Sequence, residues 1–236
     1  MTGPEPLVLV VEDEPQMRRF LRACLTAHGY RLVEAGSARE AGQLALSHNP
    51  EVILLDLGLP DADGIELTRR LREWTRVPVV VVSARGREED KVQALDAGAD
   101  DYLTKPFGVN ELLARLRVAL RHARRGGTGA DLPVVETGGL RVDLERRLVW
   151  VEGREVKLTA IEFRLLGLLA RNAGKVLTHR QILNEVWGPG HAAQTHHLRV
   201  HMAELRKKIE ADPARPRLLL TELGVGYRLS DGEGEP

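Results

Sequence analysis

The chain has 236 residues, of which 43% are hydrophobic, and this is enough to form the cores of two domains of common size. Its 34 lysine and arginine residues balance its 34 aspartate and glutamate residues, so the overall charge does not indicate a nucleic acid or a membrane as a partner. The single cysteine, Cys24, excludes an intrachain disulfide. No apolar run reaches transmembrane length and the first residues lack a signal-peptide pattern, so we expect a cytoplasmic protein without membrane insertion.

Residues 1–124 alternate short apolar runs with segments of helical periodicity. The predicted strands are residues 7–11, 31–35, 51–57, 77–83 and 100–105. Each run is followed by a segment whose apolar residues recur at intervals of three and four, which predicts a helix. Nearly continuous apolar strands separated by helices are typical of parallel sheets that are buried on both faces. We therefore predict an α/β domain with a flavodoxin-like (βα)5 fold.

The second half of the chain has a different order of elements. Segment 125–133 is rich in glycine and poor in large apolar residues, and we interpret it as a linker. Short alternating segments then predict a small antiparallel sheet. The further predicted elements are helices from Thr159 to near Gly174, from Thr178 to Trp187 and from Thr195 to Ile209, and a closing hairpin of residues 218–221 and 227–229. This order predicts an α+β winged helix-turn-helix domain over residues 134–231, followed by a tail at 232–236.

Polar residues follow four of the five predicted strands of the first domain. Glu12 and Asp13 follow the first strand, Asp56 lies at the end of the third, and Ser83 and Lys105 end the fourth and fifth. Ligands of doubly wound sheets bind at the carboxyl ends of the strands, so we expect these five side chains to share one pocket. Three carboxylates in one pocket repel one another unless a divalent cation neutralises them, and oxygen ligands favour Mg²⁺.

The same pocket has the groups that phosphoryl transfer requires. A metal, a lysine and a hydroxyl can together hold three phosphoryl oxygens, and an aspartate carboxylate is then a competent nucleophile toward phosphorus. Asp56 lies between an apolar strand and a Gly-Leu-Pro loop, which makes it the candidate nucleophile. A single aspartate at a strand end is more often a turn or cap residue. The five matched positions together favour a functional site.

The motifs VVEDEP, DLGLPDADG, SAR and YLTKPF, in this order and spacing, resemble the receiver domain of two-component response regulators. The resemblance implies that Asp56 accepts a phosphoryl group from a sensor histidine kinase. It implies that Glu12 and Asp13 bind Mg²⁺, to which Gly58 contributes a carbonyl oxygen. It also implies that Ser83 and Lys105 contact the phosphoryl group.

The resemblance further implies a switch that leads to a homodimer. Tyr102 matches the family's switch aromatic, which turns inward when the Ser83 hydroxyl moves to the phosphoryl group. The surface that responds is formed by the fourth helix, the fifth strand and the fifth helix. Its candidate dimer residues, which carry charges of both signs, are Lys91, Asp100, Asp101, Glu111 and Arg115. A solvated charged surface is the alternative interpretation. His122 lies near a position where related dimer faces carry an arginine.

Residues 195–208, THHLRVHMAELRKK, combine an apolar face with basic and polar residues, as a DNA recognition helix does. Leu198, Met202, Leu205 and Ile209 form the predicted core face. The candidate DNA-binding residues of this helix are His196, His197, Arg199, Val200, His201, Arg206 and Lys207. A solvated basic helix is the alternative. A zinc site is not expected, because no cysteine or nearby acid completes a ligand set with the histidines.

The stretches LTAIEFRLLGLLARNAGKVLTHRQILNEVWG and TELGVGYRL resemble the winged-helix domain of the OmpR/PhoB class. This resemblance implies binding to promoter DNA, with Thr221 and Arg228 of the hairpin against the DNA backbone. It also implies that the loop from Arg171 to Thr178 meets RNA polymerase. Leu223 occupies a place where some members carry a minor-groove arginine. A closer resemblance, to regulators of high-affinity potassium transport, rests on five stretches together: DLGLPDADGIE, LTAIEFRLL, NAGKVLTHRQIL, EVWGPG and DPARPR.

The sequence thus predicts a transcription factor controlled by phosphorylation, and not an enzyme. Two other hypotheses remain open at this point. A Mg²⁺-dependent phosphatase that forms an aspartyl phosphate would have a similar carboxylate cluster, and would release phosphate from an external substrate over many turnovers. A constitutive DNA-binding protein with an inactive receiver is the other, although all five pocket positions are filled. Promoter affinity with and without Mg²⁺ and a phosphodonor separates this last hypothesis from the first.

Overall fold

The computed structural model describes residues 5–124, 134–190 and 194–232. The chain divides into two compact units, Met1–Gly127 and Thr128–Pro236. The predicted linker 125–133, most of the predicted tail and the side chain of His122 lie outside the described residues. In the described parts of the chain, no helix is both long and apolar enough to cross a membrane.

The first unit is a five-stranded parallel sheet with helices between its strands. The strands are β1 (Leu7–Val11), β2 (Arg31–Ala35), β3 (Val52–Leu55), β4 (Val79–Ser83) and β5 (Asp101–Thr104). The helices are α1 (Pro15–Ala27), α2 (Ala38–His48), α3 (Gly64–Arg72), α4 (Glu88–Asp96) and α5 (Val109–Arg124). The strand order is β2-β1-β3-β4-β5 and every pairing is parallel. This order confirms the predicted flavodoxin-like fold.

The central strands are buried on both faces, which explains their uninterrupted apolar sequences. The side chains of β3 and of the valines in β4 are at most 2% exposed. β3 ends at Leu55 and is shorter than the predicted strand 51–57. The reason is local, because Gly58 pairs with Asp63 in an isolated bridge and turns the chain out of the sheet. Side chains of this turn then cap neighbouring helices: Asp61 accepts hydrogen bonds from Ala38 N and Arg39 N at 2.7 and 2.9 Å.

Within its described residues, the second unit contains two small antiparallel sheets and three helices. The strands are β6 (Val134–Thr137), β7 (Leu140–Asp143), β8 (Leu148–Val151), β9 (Arg154–Glu155), β10 (Leu177–Thr178), β11 (Leu219–Glu222) and β12 (Gly226–Leu229). The helices are α6 (Ala160–Arg171), α7 (His179–Trp187) and α8 (Thr195–Ile209). The sheet orders are β6-β7-β8-β9 and β10-β12-β11. The predicted winged helix-turn-helix architecture is confirmed.

Two features of the hairpin region differ from the prediction. β10 was not anticipated as a strand, and it pairs with β12 through Leu177 opposite Tyr227. Gly226 was expected in the turn, whereas it is the first residue of β12. A Cβ atom at Gly226 would collide with the carbonyl oxygen of Leu177. Glycine at this position therefore allows β10 to approach β12 closely.

Candidate functional site

The predicted acidic residues converge at the carboxyl edge of the parallel sheet. One carboxylate oxygen each of Glu12, Asp13 and Asp56 lies within 4.8 Å of the others. Glu12 is only 2% exposed, whereas Asp13 is exposed to solvent. The pKa of Glu12 is raised above its usual value. Burial is the largest cause and the charge of Asp56 adds to it, whereas the hydrogen bond from Lys105 acts in the opposite direction. This set of hard oxygen donors fits Mg²⁺.

Lys105 bridges two of these carboxylates. Its Nζ atom donates to Asp56 Oδ2 at 2.6 Å and to Glu12 Oε2 at 2.7 Å. Burial alone would lower the pKa of Lys105, but the hydrogen bonds and charges of Asp56 and Glu12 outweigh it and raise that pKa. The other oxygen of Asp56, Oδ1, accepts a weaker hydrogen bond from Gly58 N at 3.2 Å. The pocket thus holds a charged lysine directly against the candidate nucleophile.

Two residues that the sequence analysis missed shape this pocket. Arg18 of α1 donates from Nη1 to the carbonyl oxygens of Glu12 and Asp13 at 2.6 and 3.1 Å, and so fixes the loop after β1. A Cβ atom on Gly64 would lie 2.6 Å from Asp56 O. Glycine at the start of α3 therefore lets that helix pack against the backbone of Asp56. The sequence signal for this contact was Asp63-Gly64, which ends the DLGLPDADG motif at the start of α3, and Arg18 had none.

Ser83 and Tyr102 lie beside the acidic pocket. Ser83 is 2% exposed, and its hydroxyl accepts a hydrogen bond from Arg85 N at 3.3 Å. Tyr102 is 7% exposed and takes the inward position, where its hydroxyl donates to Arg85 O at 2.5 Å. Burial raises the pKa of Tyr102 to about 12, so its phenol remains a neutral donor. Arg85, which the sequence analysis missed, also pairs with Asp63 through Nη1 and Oδ2 at 2.8 Å.

The candidate dimer residues do not form a single cluster. Arg115 Nη1 lies 2.7 Å from both carboxylate oxygens of Asp101, and Arg115 Nη2 lies 2.9 Å from Glu111 Oε1. Asp100 instead accepts hydrogen bonds from Arg72 at the end of α3 and from Val79 N. Consecutive residues of an extended chain point to opposite sides, so Asp100 and Asp101 face different helices. Lys91 is half-buried on α4.

α8 has the predicted division into a core face and an outer face. Leu198, Met202, Leu205 and Ile209 are each at most 1% exposed. With 3.6 residues per turn, the side opposite this core carries His196, Val200 and Lys207. Val200 is 47% exposed, which is unusual for a valine and leaves it available for an apolar contact. His197 and Arg199 are exposed at the margins of the same surface, and the ring of His201 lies 5.6 Å from that of Trp187.

The remaining DNA candidates contact other residues of their own domain. Arg206 donates to Leu219 O and, from Nη2, to Thr221 Oγ1 at 2.7 Å. Arg228 Nη2 lies 2.5 Å from Glu222 Oε1. Leu223, at the turn of the hairpin, is 88% exposed. In the described parts of the chain, no histidine belongs to a group of three potential metal ligands.

Comparison with known proteins agrees with this geometry. Residues 8–117 match the response regulator receiver domain family, and residues 153–229 match the C-terminal domain family of transcriptional regulatory proteins. The chain is 56% identical to the KDP operon transcriptional regulatory protein KdpE of Escherichia coli (strain K12) over 94% of this chain and 97% of that protein. It is 52% identical to the transcriptional regulatory protein KdpE of Mycobacterium tuberculosis (strain H37Rv) over 94% of this chain and 98% of that protein. The chain belongs to the KdpE family of two-component response regulators.

Membership of the KdpE family gives each unit a role. The first unit is a receiver and the second is a DNA-binding transcriptional regulator of the OmpR/PhoB class, so the chain is a transcription factor and not an enzyme. The first unit also resembles a solved CheY-like receiver domain protein from Methanospirillum hungatei JF-1. That structure matches with a TM-score of 0.50 and 26% identity over 52% of this chain and 99% of the archaeal one. The KdpE-family receiver thus shares its fold with a CheY-like receiver domain.

Proposed function

We propose that this chain accepts a phosphoryl group on Asp56 from a sensor histidine kinase and then binds promoter DNA as a dimer. The observation that supports the first step is the position of Lys105, whose ammonium group lies 2.6 Å from Asp56 Oδ2 and 2.7 Å from Glu12 Oε2. A buried cation beside a carboxylate nucleophile stabilises the negative charge of a phosphoryl group that arrives there.

In the proposed transfer, an oxygen of Asp56 forms a bond to phosphorus while the bond between phosphorus and the histidine nitrogen of the kinase breaks. The carboxylates of Glu12, Asp13 and Asp56, with the carbonyl oxygen of Gly58, would hold Mg²⁺, which neutralises charge on the phosphoryl oxygens when it is bound. Lys105 contacts one phosphoryl oxygen. The hydroxyl of Ser83, on the neighbouring strand, donates to another.

The proposed switch connects the pocket to the dimer surface. Ser83 and Tyr102 both contact the backbone of Arg85, so movement of the Ser83 hydroxyl toward a phosphoryl group changes the loop that holds the tyrosine. Tyr102 belongs to β5, next to Asp101 and its partner Arg115. The dimer surface that we propose consists of Lys91, Asp101, Glu111 and Arg115, with Asp100 at its border through Arg72.

For DNA binding, we propose that α8 enters the major groove. Its outer face supplies His196, Val200 and Lys207 to bases and phosphates, with His197 and Arg199 at the margins of that face. His201 and Arg206 lie nearer the core, against Trp187 and β11, and support this surface from within the domain. The hairpin of β11 and β12 supplies Arg228 to the DNA backbone, and Thr221 of the same hairpin holds Arg206. The loop from Arg171 to Thr178 would face RNA polymerase. This activity places the protein in the cytoplasm, with the bacterial DNA.

The target that we propose is an operon for potassium transport. The support is the name of the E. coli relative, a regulator of the KDP operon, together with 56% identity along nearly the whole of both chains. By the same relationship, the partner that phosphorylates Asp56 would be a KdpD-like sensor kinase. Contact with that kinase requires that Asp56 be reachable, and its side chain is 12% exposed at the sheet edge.

The experiment that tests this function compares wild-type protein with Asp56→Asn. Each is incubated with Mg²⁺ and a small phosphodonor, and the dimer fraction and the affinity for a potassium-transport promoter are measured. Phosphodonor should increase both quantities for the wild type and neither for the variant. An equal gain for Asp56→Asn would exclude Asp56 as the controlling residue. If the wild-type protein binds the promoter tightly with and without the phosphodonor, the result would instead favour constitutive DNA binding.

A further inference from the structure

Two side chains, one in the last turns of α8 and one just after it, occupy the free edge of the hairpin sheet. The order of this sheet is β10-β12-β11, so within the described residues one edge of β11 has no neighbouring strand. Arg206 donates from Nε and Nη2 to Leu219 O at 3.0 and 2.5 Å. One helical turn further on, the carboxylate of Glu210 accepts hydrogen bonds from Leu218 N and Leu219 N at 3.0 and 2.7 Å. Arg206 and Glu210 therefore pair with the β11 backbone much as another strand would.

Arg206 also contacts both strands of the hairpin at one level. Thr221 and Tyr227 are direct partners across β11 and β12. Arg206 Nη2 donates to Thr221 Oγ1 at 2.7 Å, and its guanidinium carbon lies 5.8 Å from the centre of the Tyr227 ring. The same ring also meets His179 of α7, with ring centres 5.5 Å apart. Tyr227 is 5% exposed, so these contacts link α7, α8 and the hairpin at a buried point.

These contacts leave little of Arg206 for a DNA phosphate. Two of its three guanidinium nitrogens already have acceptors within the domain. Its helical position is also different from that of its neighbour Lys207, whose side chain is 61% exposed. Lys207 lies opposite the buried face of α8, whereas Arg206 lies at the margin of that face, on the side of β11. The planar fork of arginine suits two acceptors at fixed positions, which a lysine cannot replace.

From these contacts we infer that Arg206 is a positioning residue for DNA binding. It joins the recognition helix to β11 and so sets where the hairpin, with Arg228, lies relative to α8. The inference rests on the proposed function, because it assumes that α8 and the hairpin bind DNA together. A helix and a hairpin that are fixed to each other can meet the groove and the flanking backbone without loss of conformational freedom on binding.

The test measures dissociation constants of the full chain for a duplex that the wild-type protein has selected from random DNA. Arg206→Lys keeps the charge and Arg206→Gln removes it. A positioning role predicts that both variants weaken binding equally, on the order of tenfold. The matched control is Arg141, whose side chain is 54% exposed on β7, outside the DNA-binding elements: Arg141→Lys should bind as the wild type does. Lys207→Gln should reduce the slope of log affinity against log salt by about 0.9, as loss of one phosphate contact does.

A second measurement keeps the inference testable if a single variant is unstable. Thr221→Val removes one hydrogen-bond acceptor of Arg206, at an exposed position. The thermal midpoint of unfolding is measured for every variant, so that a loss of affinity can be distinguished from a loss of stability. The double variant Arg206→Gln, Thr221→Val should bind DNA as tightly as Arg206→Gln alone, because both substitutions remove the same link between Arg206 and β11. Full affinity of Arg206→Lys, or additive losses in the double variant, would overturn the positioning role. Failure of the wild type to select any DNA sequence would instead contradict the proposed function.

Discussion

Arg115 and Asp101 form a buried ion pair within one receiver domain. Arg115 Nη1 lies 2.7 Å from each carboxylate oxygen of Asp101, and the two side chains are 16% and 7% exposed. Burial alone would lower the pKa of Arg115, but attraction to Asp101 and Glu111 raises it, so the guanidinium stays charged. The pair therefore stabilises β5 against α5 before any dimer forms.

Removal of Arg115 should destabilise the receiver itself. Arg115→Ala leaves the Asp101 carboxylate buried without its cation, and we expect a loss of about 3 kcal/mol or more in the free energy of unfolding. The double variant Asp101→Asn, Arg115→Met should recover most of this loss. Glu111→Gln is the control, since Glu111 is 49% exposed and should cost less than about 1 kcal/mol. Urea unfolding measures all three, and an Arg115→Ala protein of wild-type stability would disprove the structural role.

Lys105 and Mg²⁺ compete for the same carboxylates in the proposed mechanism. Lys105→Met removes the cation that lies against Asp56 and Glu12, so Mg²⁺ should bind more tightly, on the order of tenfold. Phosphorylation by a small phosphodonor should nevertheless slow by about a hundredfold, because a contact to the phosphoryl group is lost. Calorimetry and rapid mixing measure the two quantities. Arg69→Met, which removes a cation from the exposed surface of α3, should change neither. Weaker Mg²⁺ binding by Lys105→Met would contradict the competition.

Gly64 should tolerate no side chain. Gly64→Ala places a Cβ atom 2.6 Å from Asp56 O and 2.7 Å from Leu57 Cα, and both are backbone atoms that cannot rotate away. We expect a loss of about 1–3 kcal/mol in the free energy of unfolding and slower phosphorylation, because the backbone of Asp56 must move. Gly42→Ala in α2 is the matched control. It meets no atom within 4 Å, and it should raise stability by up to about 1 kcal/mol.

The winged-helix unit should lose stability in acid through Glu162. This carboxylate accepts hydrogen bonds from Lys208 Nζ and Thr159 N, each at 2.7 Å. Burial alone would raise the pKa of Glu162, but Lys208 and the bonds from Thr159 lower it below 4.5. Because the pKa is depressed in the folded state, the stabilisation is complete above about pH 4.5 and disappears as pH falls through the lower folded value. Glu162→Gln should be less stable at neutral pH and should approach the wild type in acid. Thermal unfolding between neutral and acidic pH measures this, and a constant difference would exclude Glu162.

The fold could be predicted because its signals are local. The valine and leucine runs of β1, β3 and β4 have no polar residue on either face, which indicates strands buried between helices. The pocket followed from the same reasoning, since the carboxyl ends of parallel strands meet at one edge. The start of α6 is also a local signal, because the capping box of Thr159 and Glu162 lies within one turn.

Other parts of the site could not be predicted because they depend on contacts between distant segments. Arg18 lies in no motif, and Arg85 ends the SAR motif without a predicted role. The role of Arg18 follows from carbonyl groups that the folded chain brings to it, and that of Arg85 from the Tyr102 hydroxyl and the Asp63 carboxylate. The pairing of Arg206 with β11 is of the same kind. The separation of Asp100 from Asp101 could have been predicted from the sequence, because consecutive residues of an extended chain point to opposite sides.

Mass spectrometry can identify the phosphorylated residue, and this is the most direct test that Asp56 is the phosphoryl acceptor. Wild-type protein is treated with a small phosphodonor and Mg²⁺, and the acyl phosphate is reduced with borohydride before digestion, so that the modified aspartate is marked. We expect one mark, on Asp56, which depends on Mg²⁺ and is absent from Asp56→Asn. A mark on Glu12 or Asp13 in the wild type, or undiminished phosphorylation of Asp56→Asn, would contradict phosphoryl transfer to Asp56.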